Sequence, residues 1–206
     1  MTSEHERDRL REAMAQPEVA RIAEQLRTRV PVEALALAET RLAAVVAVLR
    51  VVEGTAEVLF IKRSEHEGDP WSGHMAFPGG RHEPEDPSLE ATARRETFEE
   101  LALDLSRGHV VGRLDDLAPR NAAVPPILIR PFVAVVPADV IFSPSEEVAA
   151  TFWVPLAVLR QEDTRAEHVI TINGARSRFP GFLVEQHIVW GLTERIVQQL
   201  LWLLDP

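Results

Sequence analysis

The sequence predicts an α/β protein in which a mixed sheet is flanked by helices and preceded by an N-terminal helical extension. Two mostly apolar, β-branched segments, 42–52 and 57–63, flank Glu53-Gly54-Thr55 and are typical of a hairpin of two long strands. An amphipathic helix is expected at about 87–103, and a final helix at about 192–204. The apolar side of the final helix comprises Leu192, Ile196, Val197, Leu200 and Leu204.

The N-terminal segment is expected to be helical over residues 4–28, with an interruption near Pro17 and an end at Val30-Pro31. The residues expected to pack on the body of the protein recur at helical spacing: Val19, Ile22 and Leu26. We therefore divide the chain into an extension, residues 1–40, and a main domain, residues 41–206.

Shorter elements are expected between these segments. They are strands at 75–77, 109–116, 128–136 and 148–154, a short helix at 156–160, and strands at 168–173 and 177–185 around Asn173-Gly174. Asp86-Pro87 predicts the start of the central helix, because Asp is a favoured N-cap and Pro suits the first helical position.

Composition narrows the classes of partner. With 206 residues, the chain is long enough for one domain with a substantial core. Its net charge of −10 argues against binding to duplex nucleic acid, which normally requires a basic surface. A phosphorylated small molecule stays possible, because metal ions can supply positive charge locally. The chain has no Cys, which excludes disulfides, a thiolate nucleophile and zinc–sulfur sites.

The start of the chain and its apolar runs bear on location. The segment MTSEHERDRLREAM is charged and lacks the apolar centre of a signal peptide. No apolar run approaches the roughly 20 residues that a membrane span needs. Together with the absence of Cys, this predicts a cytoplasmic protein with no membrane partner. The net charge predicts no nucleic-acid partner.

The segment from Gly79 to Leu105 carries the clearest functional signal. At helical spacing, Glu96, Glu99 and Glu100 fall within an arc of roughly 100°. The opposite side is expected to carry Ala91, Phe98, Leu101, Ala102 and Leu105. Three like charges this close repel each other, and a hard cation such as Mg²⁺, which prefers carboxylate and phosphate oxygens, would remove that repulsion. A solvated acidic face is the alternative, but the Gly-Gly loop, the Arg-Glu pair and the apolar stripe together favour a metal site.

This segment resembles the Nudix box: a Gly, five residues, an acid, seven residues, then an Arg-Glu-apolar-x-Glu-Glu-x-Gly-apolar run. The matching residues are Gly80, Asp86, Arg95, Glu96, Glu99, Glu100 and Leu103. Asp86 replaces the usual Glu, the stretch before Arg95 is one residue longer, Thr97 replaces an apolar residue and Ala102 replaces the late Gly. None of these departures removes a carboxylate from the helix.

The resemblance implies an α/β/α sandwich and a Mg²⁺- or Mn²⁺-dependent pyrophosphohydrolase acting on a nucleoside diphosphate linked to X. It assigns the metal to Glu96, Glu99 and Glu100, with a carbonyl of the glycine loop, for which we choose Gly80. Either Glu99 or a loop carboxylate, Glu147, would act on the attacking water.

Arg63-Ser64 and Phe77-Pro78-Gly79-Gly80 resemble the coenzyme A pyrophosphatase branch, although the second Arg of that signature is missing. Coenzyme A or an acyl derivative is therefore the leading substrate, giving adenosine 3′,5′-bisphosphate and a phosphopantetheine. The alternatives are ADP-ribose, sugar nucleotides, nucleoside triphosphates and dinucleoside polyphosphates, or a catalytically silent nucleotide-binding domain.

Other candidates keep a structural alternative. Arg95 counts among the catalytic candidates, yet an ion pair with Asp86 or Glu99 would give it a structural role. The substrate-binding candidates are Gly79, Arg63, Arg81 and Arg120, since arginine recognises phosphate in a bidentate manner. A homodimer is a further possibility, because apolar residues crowd the end of the last helix: Trp202, Leu203 and Leu204.

Overall fold

The computed structural model describes residues 4–36, 39–67, 71–119, 126–172 and 175–205. The helices are α1 (Glu4–Ala15), α2 (Pro17–Thr28), α3 (Leu89–Leu101), α4 (Leu156–Leu159) and α5 (Gly191–Trp202). The strands are β1 (Arg41–Val52), β2 (Thr55–Arg63), β3 (Met75–Ala76), β4 (Gly79–Arg81), β5 (His109–Arg113), β6 (Ile127–Val135), β7 (Val148–Pro155), β8 (Arg165–Ile172), β9 (Ala175–Val184) and β10 (His187–Trp190). Short 3₁₀ turns lie at Leu105–Arg107 and Glu162–Thr164.

The central sheet is mixed, as predicted. Its strands follow the order β3-β2-β1-β6-β5, with β4 paired to β1 and β7 paired to β2. Strand β1 runs parallel to β6, and its other partners are antiparallel. Strands β8, β9 and β10 form a separate antiparallel sheet. The predicted turn at Asn173-Gly174 lies outside the described residues.

Strand β1 separates two apolar cores because its side chains alternate between the faces of the sheet. Ala44, Val46 and Val48 pack on the face that α3 covers. Ala47 and Leu49 point to the other face, which is covered by α2 and α5. Helices therefore enclose the sheet on both sides, and the predicted α/β/α sandwich is confirmed.

The N-terminal helices belong to the second of these cores. Val19, Ile22 and Leu26 are buried, in agreement with their helical spacing. Helix α2 lies so close to β5 that a Cβ on Gly112 would approach the Cβ of Leu26 to 2.9 Å. The division of the chain at residue 40 stays a proposal.

Helix α3 departs from the prediction at its start and in its orientation. The N-cap is Ser88, whose side chain accepts a hydrogen bond from the Ala91 amide, so the assignment of that role to Asp86 is wrong. Phe98 is 56% exposed, whereas the sequence pattern placed it on the core side. The side that faces the sheet instead carries Thr92, Ala93, Thr97, Glu100 and Leu101. The helix is thus rotated from the apolar stripe, because it turns Glu100 inward.

Ala102 ends this helix in the left-handed conformation, with φ of 50°. Its amide donates to the carbonyl oxygen of Phe98 at 2.7 Å. This is the position at which the Nudix box has its late Gly, and glycine adopts that conformation without steric cost.

We expect Ala102→Gly to raise the free energy of unfolding by about 1 kcal/mol, because it relieves a left-handed conformation that costs an alanine about that much. Ala20→Gly, at an exposed position inside α2, is the matched control and should be destabilising by about 0.5–1 kcal/mol. Urea unfolding of the two variants checks the signs, and a loss of stability in Ala102→Gly would contradict the expectation.

Candidate active site

The two glycines of β4 allow carboxylates from α3 to lie against the backbone of the sheet. The Gly79 amide donates to Glu100 Oε2 at 2.9 Å. Gly79 has φ of 141°, and a Cβ there would lie 2.2 Å from the Ala44 carbonyl oxygen. A Cβ on Gly80 would lie 2.4 Å from Glu96 Oε2. Gly79 is therefore required by the close approach of the β1 backbone, and Gly80 leaves room for the Glu96 carboxylate.

Glu100 is only 4% exposed, although the sequence placed it on a displayed face. Its burial raises the pKa of the Glu100 carboxyl to about 7, while the Gly79 amide and Arg63 act in the opposite direction. Arg63 Nη1 lies 3.9 Å from Glu100 Oε1. Burial also raises the pKa of Glu96, and the charge of Glu147 adds to both shifts. Negative charge is thus concentrated here at a cost that a bound cation would offset.

Arg95 connects the acidic residues of the segment to each other. Its guanidinium donates to Asp86 through Nε at 3.0 Å and Nη2 at 2.9 Å, in a bidentate arrangement. It also donates to Glu96 at 3.0 Å, to Glu99 at 2.9 Å and to the Arg81 carbonyl at 2.9 Å. The guanidinium holds the pKa of the Asp86 carboxyl well below its usual range. These contacts fix the loop to the helix, which is the structural role foreseen for Arg95.

The three predicted metal ligands differ in their surroundings. Glu96 and Glu100 lie against β4, whereas the Glu99 side chain is 56% exposed and paired with Arg95. Within the described ranges, no group of three His, Cys, Asp or Glu side chains converges into a complete metal cage. Mg²⁺ commonly takes one or two carboxylates and fills its shell with water and substrate phosphate. The buried oxygen donors beside the exposed Glu99 fit such a partial site.

Glu147 lies on the loop before β7, and its charge contributes to raising the pKa of both Glu96 and Glu100. The side chain itself is exposed. Glu146, its neighbour on the same loop, is exposed as well. The role of Glu147 as the carboxylate that faces the α3 cluster stays a prediction.

The arginine candidates are distributed differently. Arg63 is partly buried beside Glu100. Arg81 is exposed at the end of β4, where its carbonyl accepts from Arg95. Arg120 lies outside the described residues.

The apolar patch expected at the C-terminus is wrong in its extent. Leu203 and Leu204 are buried in the core, and Trp202 alone of the three is exposed, at 65%. The homodimer stays a prediction without that patch as its support.

In the part of the chain that the structure describes, no helix is long and apolar enough to cross a membrane.

Comparison with known proteins decides the family. The sequence matches the NUDIX domain over residues 40–172, which is more than half of the chain. The chain belongs to the Nudix family. It is 37% identical over 166 residues to the human mitochondrial coenzyme A diphosphatase NUDT8, covering 80% of this chain and 70% of the relative. It is 35% identical over 144 residues to the uncharacterized Nudix hydrolase NudL of Yersinia pestis, covering 69% of this chain and 70% of that protein.

A solved structure supports the Nudix fold independently. The MutT/nudix family protein from Enterococcus faecalis aligns with a TM-score of 0.56 and 16% identity, covering 97% of this chain and 73% of its own. The chain is thus a Nudix hydrolase of the pyrophosphatase class, an enzyme class that generally needs divalent metal ions.

Two polar residues beside the cluster, Thr92 and Ser64, were not predicted to belong to the site. Thr92 donates through its hydroxyl to Asp86 Oδ2 at 2.9 Å, and its oxygen lies 2.8 Å from His82 Nδ1. Ser64 holds the loop that carries Glu147. A Ser three residues before Ala91 was an available N-cap signal, but no local pattern pointed to Thr92 or to the contacts of Ser64.

The buried carboxyl of Glu100 predicts a pH dependence of stability. Because the pKa of Glu100 is raised from 4.5 in the unfolded chain to about 7, its contribution to stability is present below 4.5 and is lost as the pH rises through 7. In EDTA, Glu100→Gln should therefore melt at a higher temperature than wild type at pH 8, by on the order of 5 °C, and at nearly the same temperature at pH 4.5.

Adding Mg²⁺ should stabilise the wild-type protein more at pH 8 than at pH 5.5 and should stabilise Glu100→Gln much less. Thermal melts at several pH values check this. A pH-independent difference between wild type and the variant in EDTA would contradict the assignment of the raised pKa to Glu100.

Proposed function

We propose that the protein hydrolyses the diphosphate of coenzyme A or an acyl-coenzyme A, releasing adenosine 3′,5′-bisphosphate and a phosphopantetheine. The observation that carries the proposal is the similarity to a coenzyme A diphosphatase over 80% of the chain, which includes Arg63-Ser64 and Phe77-Pro78-Gly79-Gly80. The stretch between Asp86 and Arg95, which is one residue longer than in the general Nudix box, supports the same branch.

The cluster on α3 supplies the ligands for Mg²⁺ or Mn²⁺ in this proposal. Glu96, Glu99 and Glu100 would hold the ion, with the carbonyl of Gly80 as a further oxygen donor. A cation bound there neutralises charge on the diphosphate and lowers the pKa of the attacking water. Arg95 keeps Glu96 and Glu99 in place through the contacts described above.

The remaining site residues act on the substrate and on the water. Arg63, beside Glu100, and Arg81, exposed at the end of β4, would bind phosphate oxygens. We also assign Gly79 and Arg120 to substrate binding. Glu147 or Glu99 accepts the proton of the water that attacks phosphorus.

A panel of diphosphates tests the substrate. Coenzyme A should be cleaved with a higher kcat/KM than ADP-ribose, sugar nucleotides, nucleoside triphosphates or dinucleoside polyphosphates, all measured with one metal. A clear preference for ADP-ribose or a triphosphate would reject coenzyme A as the substrate. The missing second Arg of the signature would then explain the different specificity. Release of no product from any of them would favour the silent nucleotide-binding domain.

Glu147→Gln should lower kcat by about 10²-fold with little change in KM, because the lost interaction is made mainly in the transition state. Glu146→Gln is the matched control on the same loop and should be nearly silent. Steady-state kinetics with coenzyme A checks both. A loss in Glu146→Gln alone would show that Glu146, not Glu147, is the facing carboxylate.

We also propose a cytoplasmic location for this chain. The human relative named above is mitochondrial, so location needs its own test. A fluorescent fusion of the full chain in its own host would test it.

A further inference from the structure

The loop that carries Glu147 comprises residues 136–147, between β6 and β7, and two of its backbone amides are hydrogen-bonded to α3. The Ser143 amide donates to the Leu101 carbonyl at 2.7 Å, and the Ser145 amide donates to the Glu100 carbonyl at 2.8 Å. The last carbonyls of a helix have no partners within it, so these two bonds satisfy groups that would otherwise need water. Ser145 is therefore bonded to the backbone of the residue that carries the buried carboxylate.

The second end of the loop is attached to the residue after Arg63. The Ser64 amide donates to the Glu147 carbonyl at 2.8 Å, and the Ser64 hydroxyl donates to the Glu146 carbonyl at 2.7 Å. Both contacts span more than 80 residues of sequence. One side chain and its own amide thus hold two successive carbonyls of the loop.

The pairing of β2 with β7 changes register at this point. Lys62 lies opposite Ala150, and Arg63 lies opposite Val148, so one residue of β7 is left over. Such a bulge bends the strand and increases its local twist. It separates Glu147 from the regular strand, and the two bonds from Ser64 then set its position.

We infer that Ser64 is a positioning residue: its hydroxyl holds the Glu146–Glu147 backbone so that the Glu147 carboxylate faces Glu96 and Glu100. This inference rests on the proposed function for its effect on catalysis. Its structural part, the immobilisation of the loop by the hydroxyl, does not depend on any substrate.

A purely structural role for Ser64 predicts different results. In that case, loss of the hydroxyl would weaken the protein as a whole and would affect activity to the same degree whether or not Glu147 is present. A positioning role makes the effect on kcat depend on Glu147, because nothing is left to position once that carboxylate is gone.

The test compares Ser64→Ala, Ser64→Thr, Glu147→Gln and the double variant Ser64→Ala/Glu147→Gln. Ser64→Ala should lower kcat for coenzyme A by about 5- to 10-fold with KM nearly unchanged, the scale of one lost neutral hydrogen bond. Ser64→Thr, which keeps a hydroxyl, should recover most of that loss. In the double variant, Ser64→Ala should lower kcat no further than Glu147→Gln alone.

Thr164→Val is the matched control, because the Thr164 hydroxyl also donates to a backbone carbonyl at 2.7 Å, far along the chain in a 3₁₀ turn. It should leave kcat unchanged. Hydrogen exchange gives the second readout: amides 145–148 should exchange about 5-fold faster in Ser64→Ala than in wild type or Thr164→Val.

The outcomes separate the two proposals. If wild type cleaves none of the diphosphates, the proposed function fails, and the exchange of amides 145–148 still decides whether Ser64 holds the loop. Unchanged exchange overturns the inference. So does an equal fold-loss from Ser64→Ala in the wild-type and Glu147→Gln backgrounds.

Discussion

Replacing Glu96, Glu99 or Glu100 by Gln should lower kcat at least about 10²-fold, the scale of losing one positioned catalytic group. Gln keeps the size of the side chain and can still accept the hydrogen bond that Gly79 donates to Glu100. What it removes is a negative charge beside the other carboxylates, where the clustered charge, partly buried at Glu96 and Glu100, would attract a cation.

Glu90→Gln is the matched control for these variants. Glu90 lies on the same helix, about 45% exposed, and pairs with Arg94 rather than with the cluster. It should keep wild-type kcat. Circular dichroism of every variant checks that the fold is intact, and near-wild-type turnover in all three cluster variants would reject a metal site on α3.

The two neighbouring glycines should respond to alanine in opposite ways. In Gly80→Ala, the new Cβ would occupy the place of the Glu96 carboxylate, with contacts of 2.4 to 2.6 Å. That carboxylate ends a flexible side chain and can rotate away, so the protein should fold with little loss of stability. Displacement of a ligand by about 1 Å or more should lower kcat on the order of 10²-fold.

In Gly79→Ala, the Cβ would meet backbone instead: the Ala44 carbonyl oxygen at 2.2 Å and the Val45 Cα at 2.5 Å. Strand β1 cannot move aside without disturbing both cores, and φ at Gly79 is also unfavourable for alanine. This variant should lose several kcal/mol of stability, within the range of overpacking plus backbone strain. Measured melting temperatures and kcat of the pair would contradict the site geometry if Gly80→Ala, rather than Gly79→Ala, unfolded.

The order of helices and strands could be predicted because each element carries its own period and its own breakers. Pro17 separates the two N-terminal helices, and Gly54 lies in the turn between β1 and β2, as the sequence indicated. The Nudix box likewise depends on spacing within one short segment. The prediction failed where the orientation of a side chain depends on partners from elements distant in sequence.

The orientation of α3 is the clearest of these failures. Glu100 and Phe98 exchange the places that polarity assigned to them, because the Gly79 amide and Arg63 supply partners for a buried carboxylate. Asp and Ser are both favoured N-caps, and in the structure Ser88 caps α3 while Asp86 binds Arg95. None of these partners can be identified from the helix alone.

The burial of α2 and α5 against the same side of the sheet has a practical consequence for dissecting the molecule. The family match spans residues 40–172 and includes neither helix. Yet Val19, Ile22, Ile196 and Leu200, which the match leaves out, lie at most 2% exposed in the core. A fragment cut at the limits of the family match would keep the face of the sheet that α3 covers and lose the cover of the opposite face. The family match and the folded unit therefore have different boundaries in this chain.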